Sequence, residues 1–144
     1  STGFTQLLSQ LTEVGSVGKD QFLSRFAKMK NAGGYYVIVI EDQNSGKVIG
    51  SATLVVEQKF IHNCALRGRL EDVVVNTNNR GQQLGKILVA AVTHLSHQLK
   101  CYKLSLDCKD KLIPFYESLG FKLEPGNANQ MNTRFPENPE QSHL

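Results

Sequence analysis

Apolar residues recur along much of the chain at the spacing of one face of a helix. The stripe in the second half is the longest and most regular, which is typical of an amphipathic helix packed on a sheet. Asp20 and Asp110 stand where side chains cap helices, and Gly33, Gly34 and Gly120 stand where glycine ends them. The predicted helices, counted with their capping residues, are 4–11, 20–33, 84–99 and 110–120.

Runs of β-branched and aromatic residues between these helices predict strands. Tyr35–Asp42 is too apolar to alternate, which is typical of a central strand, and Asn44-Ser45-Gly46 behind it indicates a hairpin turn. Residues 60–68 are expected to form a loop. The predicted strands are 35–42, 47–59, 70–75 and 102–107, followed by a closing hairpin of 121–124 with 131–135.

The order of these elements is that of an α/β or α+β domain with one mixed sheet and helices packed against it. The strand–helix–strand unit from Leu70 to Asp107 should be a right-handed parallel crossover. A chain of 144 residues with 40% hydrophobic and 20% charged residues suits a single domain, expected at 1–135, with a tail at 136–144. The apolar run Tyr35–Ile40 is too short to cross a membrane and no signal-peptide pattern opens the chain, so we expect no membrane insertion.

The net charge of +3 arises in one segment. Between Lys59 and Lys86 five basic residues stand against two acidic ones, and the rest of the chain is balanced. A nucleic-acid binder usually carries a longer basic stripe with several aromatic residues, and this segment contains only Phe60. A compact basic patch fits a small phosphorylated ligand better, so we expect no nucleic-acid partner.

The cysteines and histidines do not form a recognisable metal-binding pattern. Cys64, Cys101 and Cys108 are odd in number and include no C-x-x-C pair. His94 and His97 share a helix face, but a solvated face is a more common setting for such a pair than a metal site. We therefore expect a reduced, cytoplasmic protein without a metal.

The segment Arg80-Gly81-Gln82-Gln83-Leu84-Gly85 lies between a predicted strand and the long helix. Free backbone N–H groups and the positive end of the helix dipole allow such a loop to hold a phosphate. The segment matches neither the P-loop nor the G-x-G-x-x-G pattern. A tight turn that needs Gly81 for its backbone angles explains the two glycines at least as well.

Two motifs at a characteristic separation favour a phosphate-binding loop over a simple turn. Arg80-Gly81-x-x-Leu84-Gly85 resembles the acetyl-CoA loop R/Q-x-x-G-x-G/A of the GNAT acyltransferase superfamily, and residues 115–121 resemble its F-Y-x-x-x-G-F segment. Gln83 departs from this pattern, since many members have glycine there. The superfamily normally has a strand before its first helix, so we expect that strand to be missing from this chain.

Three further segments narrow the resemblance to the glucosamine 6-phosphate N-acetyltransferases, over about residues 11 to 135. The segments are 59–62, 70–75 and 101–108. The resemblance implies direct transfer of the acetyl group of acetyl-CoA to the amine of glucosamine 6-phosphate, a step of UDP-N-acetylglucosamine biosynthesis. A hexosamine amine is less basic than a lysine amine, so the reaction needs no strong base.

The resemblance also implies the residues that bind acetyl-CoA and act in the transfer. Tyr116 would protonate the departing thiolate as general acid, and Asp107 would lie near the amine or the cofactor. On periodicity alone Tyr116 fits the core equally well, and Asp107 fits a cap or a turn. The implied acetyl-CoA residues are Val73, Val74, Val75, Arg80, Gly81, Gln82, Gln83, Leu84, Gly85, Lys86, Phe115, Tyr116 and Glu117.

The sugar phosphate would be bound by carboxylates and basic groups. Carboxylates suit sugar hydroxyls because they accept charge-assisted hydrogen bonds, although Glu71 and Asp72 also fit a solvated strand end. The resemblance implies a homodimer whose partner supplies Tyr102 and Lys103, whereas composition alone favours a solvated Lys103 in a monomer. The implied sugar-binding residues are Thr12, Lys59, Phe60, Ile61, His62, Glu71, Asp72, Val73, Tyr102, Lys103 and Arg134.

Two other functions remain open on the sequence. One is a peptide or protein N-acetyltransferase of the same superfamily. A longer acidic or aromatic groove for a peptide would favour this function, and the basic segment 59–86 does not indicate one. A catalytically silent module that binds CoA or a phosphosugar would be indicated by loss of Tyr116 or of the glycine loop. Both are present.

Overall fold

The computed structural model describes residues 3–81 and 83–136. Its helices lie largely where the apolar stripes predict them, and the long helix agrees to within one residue. The first helix is shorter than predicted, because the chain turns after Leu8. The helices are α1 (Phe4–Leu8), α2 (Lys19–Ala32), α3 (Ile61–Cys64), α4 (Leu84–Gln98) and α5 (Ile113–Ser118).

The two predicted N-caps, Asp20 and Asp110, are wrong, whereas Gly33 ends α2 as predicted. Gly18 is the N-cap of α2, so Asp20 lies in the first turn, where its carboxylate still interacts favourably with the helix dipole. Asp110 opens a short 3₁₀ turn that ends at Leu112, and α5 begins only after it. Pro114 lies in the first turn of α5, as predicted, where no backbone donor is required.

The described strands form one mixed sheet in the order β1-β2-β3-β4. The first three strands pair antiparallel, and β3 pairs parallel with β4 across the α4 connection. This sheet with flanking helices confirms the predicted fold class and the parallel crossover. The strands are β1 (Tyr35–Glu41), β2 (Val48–Gln58), β3 (Leu66–Val75) and β4 (Cys101–Ser105).

The prediction of a central first strand is wrong for the sheet of described residues. β1 lies at its edge and pairs with β2 alone. Tyr35, Tyr36, Val37 and Val39 consequently remain exposed. An apolar run indicates that a strand suits burial on two faces, but it carries no information about which strands lie beside it.

The predicted closing hairpin is also wrong. The chain after α5 turns at Gly120 and again at 125–127, and it forms no strand up to Pro136. Leu123, Met131 and Phe135 remain 61%, 89% and 81% exposed, since this segment pairs with neither edge of the described sheet. The predicted tail, apart from Pro136, lies outside the described residues.

The hydrophobic core lies between α4 and the sheet. A side chain on Gly50 would come within 3.2 Å of Leu88, so the glycine allows α4 to approach β2 closely. Helix α1 also contacts β2 and β3, and its Leu7 is buried. No helix in residues 3–81 and 83–136 is long and apolar enough to cross a membrane. The main core cluster is Ala52, Leu54, Leu70, Leu88, Val89, Val92 and Tyr116.

Candidate active site

A fork opens between the parallel strands β3 and β4. The last paired residues are Arg69 and Ser105, after which β4 ends and β3 continues to Val75. Beyond that point Val73–Val75 have no strand partner on the β4 side within the described residues. A free strand edge can pair with an extended ligand through its backbone groups. The predicted cofactor-binding residues of β3 therefore line the open side of the fork.

A bulge lies in β3 at the start of this free edge. One residue of β2, between Ser51 and Thr53, stands opposite two residues of β3, Asp72 and Val73. Asp72 takes a left-handed φ of 52°, a conformation that costs a non-glycine residue free energy. Because a bulge bends its strand and re-aims the side chains, it helps to separate β3 from β4 at this point.

The loop before α4 presents backbone N–H groups. Gly81 and Gln83 are left-handed, with φ of 89° and 59°. The N–H of Ile87 donates to the Gln83 carbonyl at 3.2 Å, and the Gln83 side chain does not cap the helix. The N–H groups of residues 84–86 therefore have no partner in the described chain, and together with the helix dipole they can hold an anion. Gln82, also predicted here, lies outside the described residues.

Gly85 marks the point where α4, α5 and β3 meet. A Cβ at this position would lie 3.7 Å from the ring of Phe115 and 3.9 Å from the Val75 side chain. These distances leave room for a methyl group, and a branched side chain would displace one of the two neighbours. The structure thus brings together three of the predicted cofactor residues, while Lys86 and Glu117 are exposed on their helices.

Tyr116 is a buried residue of α5. Its ring packs edge-on against Phe115 and Phe121, with centroid distances of 5.0 and 5.9 Å, so the ring belongs to the core. Burial is the main cause that raises the pKa of Tyr116, and Cys108 adds to it. The hydroxyl therefore keeps its proton at neutral pH, as a general acid must. The catalytic role of that hydroxyl remains a prediction.

Cys108 is a neighbour of Tyr116 that the sequence did not reveal. Desolvation is the main cause that raises the pKa of its thiol, followed by the charges of Asp110 and Asp107. A raised pKa keeps the thiol protonated and lowers its reactivity. All three cysteines are free.

One guanidinium joins two of the predicted acidic site residues. Arg69 donates from Nε to Oε1 of Glu71 at 3.1 Å and from Nη2 to Oδ2 of Asp107 at 2.6 Å. The structure thus brings Glu71 and Asp107 together where the fork begins. Arg69 was not among the predicted residues, although strand alternation places it on the same face as Glu71, and this pattern was the available signal.

A second group contains His62, Tyr102 and Lys103. Three consecutive residues from His62 to Cys64 have left-handed φ values of 52° to 60°, so a strained helical turn replaces much of the predicted loop, and β3 begins earlier, at Leu66. The imidazole of His62 stacks on the ring of Tyr102 at 4.4 Å, and Nζ of Lys103 lies 5.6 Å from the centroid of that ring. Two basic side chains therefore share one aromatic platform.

The remaining predicted sugar residues are not joined to these groups. Nζ of Lys59 lies 2.9 Å from Glu57, and its hydrogen bond is the main cause that lowers the pKa of Glu57, so the charge of Lys59 is already paired. Thr12, Ile61 and Arg134 are exposed, and Phe60 is 96% exposed. Within the described ranges no three His, Cys, Asp or Glu side chains are grouped to hold a metal ion.

The sequence pattern of the Acetyltransferase (GNAT) family matches residues 5–121, which include the fork, the glycine loop and Tyr116. The chain belongs to the GNAT acetyltransferase family. The predicted family is therefore confirmed, and acetyl-CoA is the acetyl donor that this fold uses.

Relatives within the family are similar over most of this chain. A protein of Drosophila melanogaster named probable glucosamine 6-phosphate N-acetyltransferase is 62% identical over 137 residues, 95% of this chain and 63% of that protein. The glucosamine 6-phosphate N-acetyltransferase of Arabidopsis thaliana is 42% identical over 119 residues, 82% of this chain and 80% of the relative. The chain thus spans less than two-thirds of the Drosophila protein.

A solved structure shows the same fold. The crystal structure of glucosamine-6-phosphate N-acetyltransferase from Arabidopsis thaliana superposes with a TM-score of 0.88 at 38% identity, and the match covers 94% of this chain and 90% of the other. The mixed sheet of this GNAT chain is therefore shared with a relative of the same family.

Proposed function

We propose that this chain transfers the acetyl group of acetyl-CoA to the amine of glucosamine 6-phosphate, yielding N-acetylglucosamine 6-phosphate. The family match and the names of relatives at 62% and 42% identity support the reaction and the substrate. One structural observation carries the proposal. The fork has a free strand edge and a helix N-terminus along its cofactor side, and the paired carboxylates of Glu71 and Asp107 lie where it begins.

The residues of the cofactor side fit the chemistry of acetyl-CoA. The free N–H groups at the start of α4 and the exposed guanidinium of Arg80 suit a pyrophosphate. The backbone of Val73–Val75 suits an extended arm that contains amide groups. When bound, the thioester supplies an activated acetyl carbon and a thiolate leaving group.

The transfer forms a C–N bond and breaks the C–S bond. The attacking nitrogen must be neutral, and it gives up one proton as the amide forms, while the sulfur takes up one. The hydroxyl of Tyr116 donates a proton to the departing sulfur, since burial keeps that hydroxyl protonated. The carboxylates of Glu71 and Asp107 accept hydrogen bonds from the amino sugar and hold its amine at the fork.

In this proposal, basic side chains bind the phosphate of the substrate. Lys103 offers charge that no described carboxylate pairs with, and the imidazole of His62 on the same platform offers an N–H donor. Arg134 adds a further guanidinium. The charge of Lys59 contributes less, because Glu57 lies beside it.

The sugar site is shared between two chains of a homodimer in this proposal. The exposed apolar side chains of Leu123, Met131 and Phe135 offer surface that a partner chain can cover. Since His62 stacks on Tyr102 of its own chain, the partner that supplies Lys103 supplies this whole group. Arg134 of one chain and Lys103 of the other then converge on one phosphate.

A thiol-release assay tests the proposed function. Acetyl-CoA should release free thiol with glucosamine 6-phosphate. Release with glucosamine should be at least about tenfold slower, because charge-assisted hydrogen bonds to the phosphate are lost. Glucose 6-phosphate lacks the amine and should give no release. Equal turnover of the two amino sugars contradicts the phosphosugar part. Acetylation of peptides without acetylation of any amino sugar contradicts the reaction itself.

A further inference from the structure

Arg69 lies at the one place where β3 and β4 separate. It is the last residue of β3 paired with β4, opposite Ser105. Its side chain reaches Glu71 on its own strand and Asp107, which is 38 residues away in the chain and just past the end of β4. The guanidinium thus bridges the two strands at the point where backbone pairing stops.

The charges at this point require a cation between the two acids. Without the guanidinium, two carboxylates would stand close together at the mouth of the fork and repel each other. Burial opposes the charge of Arg69, but the bonds to Glu71 and Asp107 outweigh it, so the pKa of the guanidinium is raised above its ordinary range. The planar guanidinium suits this task, because its Nε and Nη2 each donate to a different carboxylate.

We propose that Arg69 is a positioning residue of the transfer reaction, whose single guanidinium holds the carboxylates of Glu71 and Asp107 at a fixed separation across the fork. This inference rests on the proposed function, in which both carboxylates contact the amino sugar. Arg69 itself does not touch the substrate in this role. The guanidinium and the two carboxylates together carry one net negative charge. This charge suits the amine of the substrate, which must be held at the fork without being stabilised as an ammonium ion.

The bonds of Arg69 are too exposed for a mainly stabilising role. The side chains of Glu71 and Asp107 are 44% and 45% exposed, and that of Arg69 is 23% exposed. Ion pairs with this exposure contribute little to the free energy of unfolding. Loss of Arg69 should therefore leave the fold intact and change the geometry of the two acids.

Steady-state kinetics of Arg69→Ala with acetyl-CoA and glucosamine 6-phosphate test the proposal. We expect kcat/KM for the sugar to fall about 100-fold, as for a misplaced reacting group, while the Kd for CoA stays within about twofold. Arg69→Lys should recover only part of the loss, because an ammonium group lacks the planar arrangement of donors that a guanidinium has. Arg25→Ala, which removes an exposed arginine of α2, is the matched control and should behave as the wild type.

Chemical rescue separates positioning from a merely structural role. Guanidinium chloride at a few tens of millimolar should raise the kcat of Arg69→Ala at least about tenfold and should leave the kcat of Arg25→Ala unchanged. Wild-type kinetics in Arg69→Ala, or a loss that guanidinium does not restore, overturns the proposal.

A measurement without substrate distinguishes this inference from the proposed function. Backbone ¹⁵N order parameters of Leu106 and Asp107 should fall in Arg69→Ala, because the bond that holds this segment to β3 is lost. If the wild type does not acetylate glucosamine 6-phosphate, the proposed function fails. Unchanged order parameters overturn the positioning role of Arg69 by themselves.

Discussion

The proposed cofactor side, made by Val73–Val75, the loop of Arg80 and Tyr116, and the proposed sugar side, made by the predicted sugar residues, differ in how far one chain completes them. On the cofactor side, Val75 and Phe115 both lie beside Gly85, and Tyr116 is buried next to Phe115. Among the predicted sugar residues, the side chains of Phe60 and Arg134 are exposed. A single chain therefore builds a packed surface for the proposed cofactor and leaves the groups proposed for the sugar dispersed.

The difference follows from the origin of each surface. The cofactor side is made by elements that pack on the core through α4 and α5, so burial of apolar side chains fixes its geometry. The sugar side depends on short-range contacts between polar and aromatic groups, such as the stack of His62 on Tyr102. Such contacts hold local groups together, and bringing the groups to one substrate requires further structure. The proposed partner chain supplies it.

Removal of the Tyr116 hydroxyl should have the largest effect and tests the cofactor side. Tyr116→Phe keeps the ring packing, so we expect kcat to fall about 100-fold with the Kd for CoA unchanged. Tyr36→Phe, on the exposed edge strand β1, is the matched control and should retain full activity. An unchanged kcat in Tyr116→Phe would assign this residue to the core alone.

Mixed dimers test whether the sugar side is shared. Lys103→Ala and Tyr116→Phe chains, each nearly inactive alone, should recover about a quarter of the wild-type activity after equal mixing and exchange. Half of the dimers are then mixed, and each has one intact site of two. Activity no higher than the mean of the two parents would show that each chain carries its own complete site.

Loss of Arg80 tests whether the glycine loop binds the pyrophosphate. Arg80→Ala should raise the Kd for CoA about tenfold, since one charge-assisted hydrogen bond is lost, without changing the KM for the sugar. Isothermal titration with CoA measures the first quantity and the kinetic assay the second. Undiminished CoA binding would reduce the loop to a tight turn.

The smallest expected effect concerns alkaline stability. Because the pKa of Tyr116 is raised in the folded chain, the unfolded chain releases this proton first as the pH rises. The resulting contribution to the free energy of unfolding is complete below the ordinary tyrosine value of about 10 and is lost as the pH rises through the raised value. Urea unfolding at pH 8.5 and 10.5 should therefore show a steeper loss for the wild type than for Tyr116→Phe. Equal losses would contradict the buried setting of the hydroxyl.

Local patterns predicted those parts of the site that belong to a single element. The apolar stripe of α4 and the glycines before it placed the loop of Arg80 at a helix start, and the structure agrees within one residue. These features depend on backbone periods that a short sequence expresses by itself.

The residues that join elements were harder to predict. Arg69 bonds to Asp107 across 38 residues, and that contact exists only because the β3–α4–β4 crossover brings two strand ends together. The left-handed turn at His62, Asn63 and Cys64 contains no glycine, so the sequence carries no residue typical of this backbone conformation. The closing hairpin was predicted from turn residues at 125–127 between two short runs, and the structure forms the turn without the strands.

The sequence by itself determined the order of the long helices and strands up to α5, the family and the type of chemistry, because periodicity and two spaced motifs are local properties of the chain. Only the tertiary structure decided that β1 lies at the edge of the described sheet, that a bulge at Asp72 adjoins a fork, and that one guanidinium spans that fork. The physical reason is that strand neighbours, bulges and ion pairs are set by packing between distant segments, where the favourable burial of one segment depends on the positions of the others.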